Sequence, residues 1–456
     1  MPKTVPKTKH TNVYTAPKGI SDSILKEFST QKNDPPWLFE FRSQALKTFE
    51  NKDLPTWGPN LSSIDFSDFS YYVKPSASEA KDWKDVDPEI ERTFRALGIP
   101  AAEQDVLAGV KTQFESDIVY GSLQKELSDI GVIFCSMEEA VEKHGDLVKK
   151  YLGTIIPIDD NKFAALNSAF FSGGSFVYVP SGVIVEKPLQ TYFRINTKST
   201  GQFERTLIIA EPRSKVNYVE GCTAPNFSST NLHAAVVEIF VSDNAEVRYT
   251  TIQNWSKNVY NLVTKRAEVG KNAKMLWTDA NLGSSITMKY PSCILRGDNS
   301  FGSLLSLAIA GKKQTIDSGG KMIHLGKNTK SNIISKSLSL NGGTANFRGI
   351  VSLERNSVDA TAKVNCSALI MDNFSVSNTF PKIVNKSESG TIEHEAFVSK
   401  LSEEQLFYLG TRGYSYSQAA SYIILGFLEP VLRDIPLEYS LELNKLLEMT
   451  MEDYYA

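Results

Sequence analysis

Two short stretches carry residue types that could do chemistry. In EGCTAP, residues 220–225, Cys222 stands in a turn bracketed by Gly221 and Pro225, between two strand-like runs. A thiol beside a turn can be reached by a reactant, and it becomes a nucleophile or a metal ligand once its thiolate is favoured locally. The alternative is a small buried hydrophobe. In TIEHEAF, residues 391–397, Glu393, His394 and Glu395 follow one another in a strand-like segment. Side chains alternate along a strand, so the two glutamates share one face and His394 takes the other. Charged side chains seldom occupy a buried face unpaired, so this is either a wet edge or a group that holds an ion or moves protons.

Polar alternation supplies further candidates. In TYFRIN, Tyr192, Arg194 and Asn196 share a face, and in TTIQNW Gln253 shares one with Trp255. On an ordinary sheet such residues meet solvent; inside a closed coil of strands they would line a polar passage. The five histidines are scattered, and a structural role is the ordinary expectation for each. Cys293 in KYPSCILRG and Cys366 in KVNCSALIM lie in apolar runs and read as buried.

Several chemistries are absent as motifs. LAIAGKKQT and LGKNTKS contain Gly-Lys but lack the upstream glycine of a phosphate-binding loop, and no GxGxxG stands between a strand and a helix. We therefore expect no nucleotide bound by this chain. No GxSxG or HExxH occurs. Lys and Arg number 49 against 52 Asp and Glu, which gives no electrostatic reason to expect nucleic acid. Four dispersed cysteines without a CxxC pair argue against a disulfide framework or a structural zinc site, and point to a reducing compartment. The start is basic but has no apolar core, so it does not read as a secretory signal. No apolar stretch reaches the ~18 residues of a membrane span. The expected location is cytoplasmic, with an organelle stroma as the second reading.

The elements that must position these residues are written in an internal repeat. Asp243-Asn244-Ala245, Lys271-Asn272-Ala273, Asp298-Asn299-Ser300, Lys327-Asn328-Thr329 and Arg355-Asn356-Ser357 share a charged–Asn–small pattern, with asparagine spacings of 28, 27, 29 and 28. Asn tolerates the left-handed conformation and marks turns. Strand-like runs such as EVRYTTIQNW and SNIISKSLSL follow these turns. Such regularity predicts coils that stack and bury one another's apolar faces, a right-handed parallel β-helix; a β-sandwich is the alternative. The flanks read as helical. Asp34-Pro35-Pro36 opens one helix, Ser136 another, and Ser402 with Gln405 a third. Two further helical patterns follow, in QAASYIILGFLEPVLRDI and PLEYSLELNKLLEMTMEDYY. We expect a mainly β protein: an N-terminal helical domain at 1–155 with a disordered start, a β-helix core at 156–398 and a C-terminal helical domain at 399–456.

Longer motifs in order, including NSAFFSGGSFVYVPSGV, GQFERTLIIAE, EGCTAP, VRYTTIQNW, NLVTKR, KMIHLGKNTKS, IEHEA and EEQLFYLGTRG, resemble the SufB-type scaffold subunits of the SUF iron–sulfur assembly machinery, within the SufB/SufD family. The resemblance runs from about residue 20 to the C-terminus. It implies a scaffold rather than an enzyme, on which a transient 4Fe-4S or 2Fe-2S cluster forms for transfer to apo-proteins. Implied partners are an ABC-type ATPase, SufC, docked on the C-terminal helices, a SufD paralogue or a second copy, and a cysteine desulfurase that delivers persulfide sulfur. It implies Cys222 as sulfur acceptor, and Arg194, Asn196, Gln253, Trp255 and Lys265 as lining an interior passage. Glu393, His394, Glu395 and Cys366 become the iron or cluster candidates. The resemblance also suggests a cysteine in TFPKIVN, where this chain has Asn385, a poor iron ligand. A SufD-like structural partner is the competing reading. A β-helix carbohydrate-active enzyme lacks its paired carboxylates here.

Overall fold

The computed structural model describes residues 11–76, 79–96, 107–225 and 229–433. The helix expected at PLEYSLELNKLLEMTMEDYY and the first ten residues lie outside the described residues.

Successive strands alternate between two large sheets, which is the signature of a coil. One sheet holds Leu189–Arg194, Lys215–Thr223, Glu246–Asn254, Lys274–Leu282, Phe301–Ala310, Lys330–Ser339, Thr361–Ile370 and Thr391–Lys400 in parallel order. The other holds, among others, Arg205–Ala210, Val236–Val241, Val259–Val269, Thr315–His324, Thr344–Leu353 and Val376–Asn385. The result is a parallel β-solenoid of about eight turns.

The asparagine repeat does what its chemistry predicts at four of its five positions. Asn244, Asn272, Asn299 and Asn328 all adopt left-handed backbone, with φ between 54° and 61°. Their amides bond across to the next coil, as from Asn244 N to Lys271 O at 2.8 Å and from Asn272 N to Asp298 O at 2.9 Å. Their side chains form a ladder: Asn299 Nδ2 donates to Asn272 Oδ1 at 3.0 Å and Asn272 Nδ2 to Asn244 Oδ1 at 3.3 Å. The fifth unit departs. Asn328 N meets Val358 O at 2.8 Å, and the left-handed residue is Asp359, not Asn356. A longer corner has moved the register by three residues while keeping the small residue, Ala360, behind the turn.

Parallel register stacks like positions into columns. One inward column reads Leu189, Tyr218, Tyr249, Trp277, Leu304, Ile333, Val364 and finally His394. Its aromatic rings pack at 5.0 and 5.2 Å between centroids. These residues, apart from His394, belong to the core between the sheets.

The flanking helices cover the outer faces. Asp22–Lys32, capped by Ser21, and Pro36–Asn51 pack with Lys162–Phe170 over the second sheet through Phe28, Leu46, Leu166, Leu232 and Leu262. Ser136 and Ser402 cap their helices as expected, accepting the amides of Glu139 and Gln405. The reciprocal capping box forms at Ser415 and Gln418. That helix, Tyr416–Leu432, lays Ile424, Leu428 and Val431 on Leu305, Leu307 and Ile309 of the first sheet. Residue 155 is not where the sheets begin. Gly109–Phe114 pairs with Leu189–Arg194, and Ile133–Cys135 pairs with Phe176–Val179, so earlier chain is built into both sheets. No helix among the described residues is long and apolar enough to cross a membrane.

Candidate functional site

Cys222 points inward from Lys215–Thr223 and is buried. Its column continues through Gln253 and Asn281, and the neighbouring column, two residues earlier on each strand, reads Glu220, Thr251, Asp279, Ser306, Ser335 and Cys366. All of these side chains are buried. A line of polar groups therefore runs from the Cys222 coil to Cys366, five coil spacings away. At ~4.8 Å per spacing that is roughly 24 Å.

Around Cys222 the opposing sheet supplies complementary charge. Cys222 Sγ lies 3.8 Å from Glu220 Oε1 and 3.8 Å from Gln253 Nε2. Lys265 reaches Glu220 Oε1 at 3.4 Å and donates to Thr251 Oγ1 at 2.5 Å. Tyr249 also donates its hydroxyl to Glu220. Lys289 donates to Gln253 Oε1 at 3.0 Å and pairs with Asp279 at 2.7 Å. Asn261 donates to Gln253 Oε1 at 2.7 Å, and His233 lies between Asn261 Oδ1 at 2.7 Å and Glu204 at 2.8 Å. The Trp255 ring packs on His233 with centroids 4.7 Å apart. Burial first, then the carboxylates of Glu220 and Glu204, push the Cys222 thiol well above its ordinary pKa, while Lys265 and Lys289 pull the other way. Burial lowers Lys289 to about 8, against the pull of Asp279.

Sequence reasoning placed Gln253, Trp255 and Lys265 with Cys222, and the fold brings these together. Arg194 and Asn196 are elsewhere. Arg194 pairs in register with Thr223, one residue past Cys222, so it leaves the opposite face; its Nη1 donates to Thr223 Oγ1 at 3.3 Å. Asn196 lies beyond the end of its strand, half-buried, and its backbone amide donates to Glu115 Oε1 at 3.1 Å. The strand alternation that grouped the two residues was sound for Tyr192 and Arg194, but their shared face is the outer one. Glu220, His233, Asn261, Asp279 and Lys289 were missed. Glu220 was detectable as the i−2 neighbour of Cys222, and Asp279 as the repeat equivalent of Thr251. Nothing local marks the residues of the opposing sheet.

Glu115 gives this outer region a pH signature. Burial raises its carboxyl to about 7, although Thr197, the Asn196 amide and Arg194 favour the charged form. The folded chain thus keeps a proton that the unfolded chain has lost above about 4.5. Its contribution is complete below that value and is lost as pH rises through about 7, at roughly 1.4 kcal/mol per unit. Denaturation of Glu115→Gln across this window should show a flatter pH dependence than the parent.

At the last coil the group expected from TIEHEAF divides. His394 turns inward, its Nε2 3.6 Å from Cys366 Sγ, with Thr379 Oγ1 3.9 Å from the same sulfur. Burial lowers the His394 pKa and raises that of Cys366. Glu393 and Glu395 face outward, on Lys363 at 2.9 Å and Asn365 at 3.2 Å. Among the described residues no three His, Cys, Asp or Glu side chains converge as a metal-binding set. Asn385 is the last residue of the strand Val376–Asn385 on the other sheet, and its side chain braces the corner that follows: it accepts the Ser387 amide at 3.0 Å and donates to Gly390 O at 3.0 Å. The thiol facing His394 is Cys366, and Asn385 keeps the final corner.

Fold and site define a parallel β-solenoid with helical flanks whose interior carries a buried thiol in a charged cluster. The model of the SufBD protein N-terminal region matches residues 25–191, and that of the SUF system FeS cluster assembly SufBD core domain matches residues 193–427. Iron-sulfur cluster assembly SufBD family proteins of Staphylococcus aureus (strain USA300), Staphylococcus saprophyticus and Staphylococcus epidermidis are each 51% identical over 441 residues, covering 97% of this chain and 95% of theirs. The chain belongs to the SufBD family of the SUF iron–sulfur cluster assembly system.

Proposed function

We propose that this chain is the SufB-type scaffold of its machinery, accepting sulfur at Cys222 and presenting it for cluster assembly near Cys366 and His394. The observation that carries this reading is the buried polar column from Glu220 beside Cys222 to Cys366 at the last coil. An apolar solenoid needs no such column, since an interior of Val, Ile and Leu is cheaper to bury. In this reading the cluster is cargo, and the protein is an assembly factor of the cytoplasm or an organelle stroma.

The surfaces fit the partners this role needs. Among the described residues, strands Val376–Asn385 and Thr391–Lys400 end the two sheets, with Phe380, Ile383, Phe397 and Val398 exposed. Unpaired strand edges with exposed apolar side chains are templates for pairing, here with a paralogue or a second copy. Phe407, Tyr408, Tyr416 and Tyr422 are exposed on the C-terminal helices, a surface suited to an ATPase partner. Sulfur would come from a cysteine desulfurase, and apo-proteins would receive the cluster.

Ser335→Leu tests the column. Anaerobic reconstitution with the ATPase partner should give cluster absorbance for the parent and at least tenfold less for the variant, while sulfur still loads at Cys222. Equal cluster yields would remove the column from the mechanism. A parent that builds no cluster with any partner would favour the SufD-like structural role.

A further inference from the structure

Cys222 poses a chemical problem: its environment opposes the thiolate that sulfur transfer requires. Glu220 lies two residues earlier on the same strand, on the same inward face. It is buried, and its Oε1 is 3.8 Å from the sulfur. From the Glu220 carboxylate to Lys265 is 3.4 Å, and Tyr249 donates to it. Lys265 thus sets a basic group beside the carboxylate, and the tyrosine holds it in place. A buried thiol and a buried, positioned carboxylate in contact form a proton donor–acceptor pair. By contrast, Cys293 is equally buried with no carboxylate beside it among the described residues, and burial pushes its thiol to about 12.

We propose that Glu220 is the proton acceptor for the Cys222 thiol. Where the reactant is a donor persulfide, R–S–SH, Cys222 Sγ attacks the outer sulfur as its proton passes to Glu220. The donor S–S bond breaks, Cys222 becomes the persulfide, and RS⁻ leaves and takes the proton from Glu220 as RSH. One S–S bond forms and one breaks, so no external oxidant is needed. This persulfide step rests on the sulfur-acceptor reading; the proton transfer itself does not. Lys265 has a second role in the step: as the proton arrives on Glu220, its ammonium is left facing the sulfur that is gaining charge.

The charged and titratable groups facing the pair are Lys265, Lys289 and Glu204 from the opposing side, and Tyr218, Tyr249 and Asp279 from its own sheet. A merely electrostatic Glu220 and a proton-accepting Glu220 predict opposite results. If the carboxylate only repels the thiolate, Glu220→Gln should speed modification of Cys222. If it accepts the proton, the same change should slow it.

The experiment uses the full chain in complex with its ATPase partner, with rates at Cys222 read by mass spectrometry against pH. Two probes are used, iodoacetamide and glutathione persulfide, and Cys293 is followed in the same samples as a control for general opening. Glu220→Gln is expected to slow iodoacetamide modification of Cys222 about 100-fold near neutral pH. The deficit should shrink as pH rises toward the thiol's own range, Glu220→Asp should recover part of the rate, and Cys293 should not change. A Glu220→Gln variant that reacts as fast as the parent, or faster, overturns the proposal. Iodoacetamide dependence on Glu220 without any persulfide loading of the parent would uphold the proton acceptor and reject the sulfur-acceptor reading.

Discussion

Cys222→Ser is expected to abolish sulfur loading at this position and to reduce cluster formation in anaerobic reconstitution to background. The substitution keeps shape and burial, so the coil should stay intact. What it removes is the only atom in the interior cluster that can form a persulfide. Gln253, Lys265 and Lys289 surround the sulfur but carry no sulfur themselves. Mass spectrometry after exposure to a persulfide donor reads the first effect, and cluster absorbance reads the second. Serine at this position should change the thermal midpoint little, because its hydroxyl can keep the polar neighbours that the sulfur has at 3.8 Å, Glu220 and Gln253. A variant that assembles as much cluster as the parent would place sulfur entry elsewhere.

Glu238→Ala is expected to cost about 3–5 kcal/mol, the usual penalty for leaving one partner of a buried ion pair alone. Glu238 and Arg205 are both fully buried and paired in neighbouring strands of the second sheet. The carboxylate also accepts the amides of Gly153 at 2.9 Å, Ile155 at 3.2 Å and Ile156 at 3.0 Å. It is therefore the post to which the segment after the N-terminal helices is tied. Removing it strands the Arg205 charge and three amides together. Chemical denaturation should show the loss as a lower midpoint, and proteolysis should open the chain near residues 153–156. Glu238→Gln should cost less, since it restores part of the hydrogen bonding without the charge. A change under ~1 kcal/mol would mean that water replaces the carboxylate.

These two sites were not equally visible beforehand. Cys222 declared itself through its motif, although it lies within the strand Lys215–Thr223 and not in the expected turn, whereas Glu238 sits in AVVEIFV and reads as one polar residue in an apolar strand. Its partners lie 33 residues back at Arg205 and more than 80 back at Gly153 and Ile155. TIEHEAF lies between these cases. Alternation separated His394 from the two glutamates, and the fold kept that separation. It could not tell which side was inward, nor that Cys366 would wait there.

Local chain chemistry was enough for the coil. Left-handed asparagines at a near-constant spacing and alternating strand faces are properties of a few consecutive residues, so they survive in the one-dimensional record. Helix caps at Ser136 and Ser402 belong to the same class. The register between coils and the choice of inward face do not. They are decided by which columns can be buried together, and a shift of three residues at the corner before Asp359 is enough to reassign every column after it. Burial of the columns is why Arg194 turned outward and why Cys222 met Lys265 and Lys289 of the opposing sheet, and Asn385 ends its strand at the final corner. The thiol and Glu220 were written two residues apart in the sequence; the lysines that face them, Lys265 and Lys289, sit on strands that only the tertiary structure set around them.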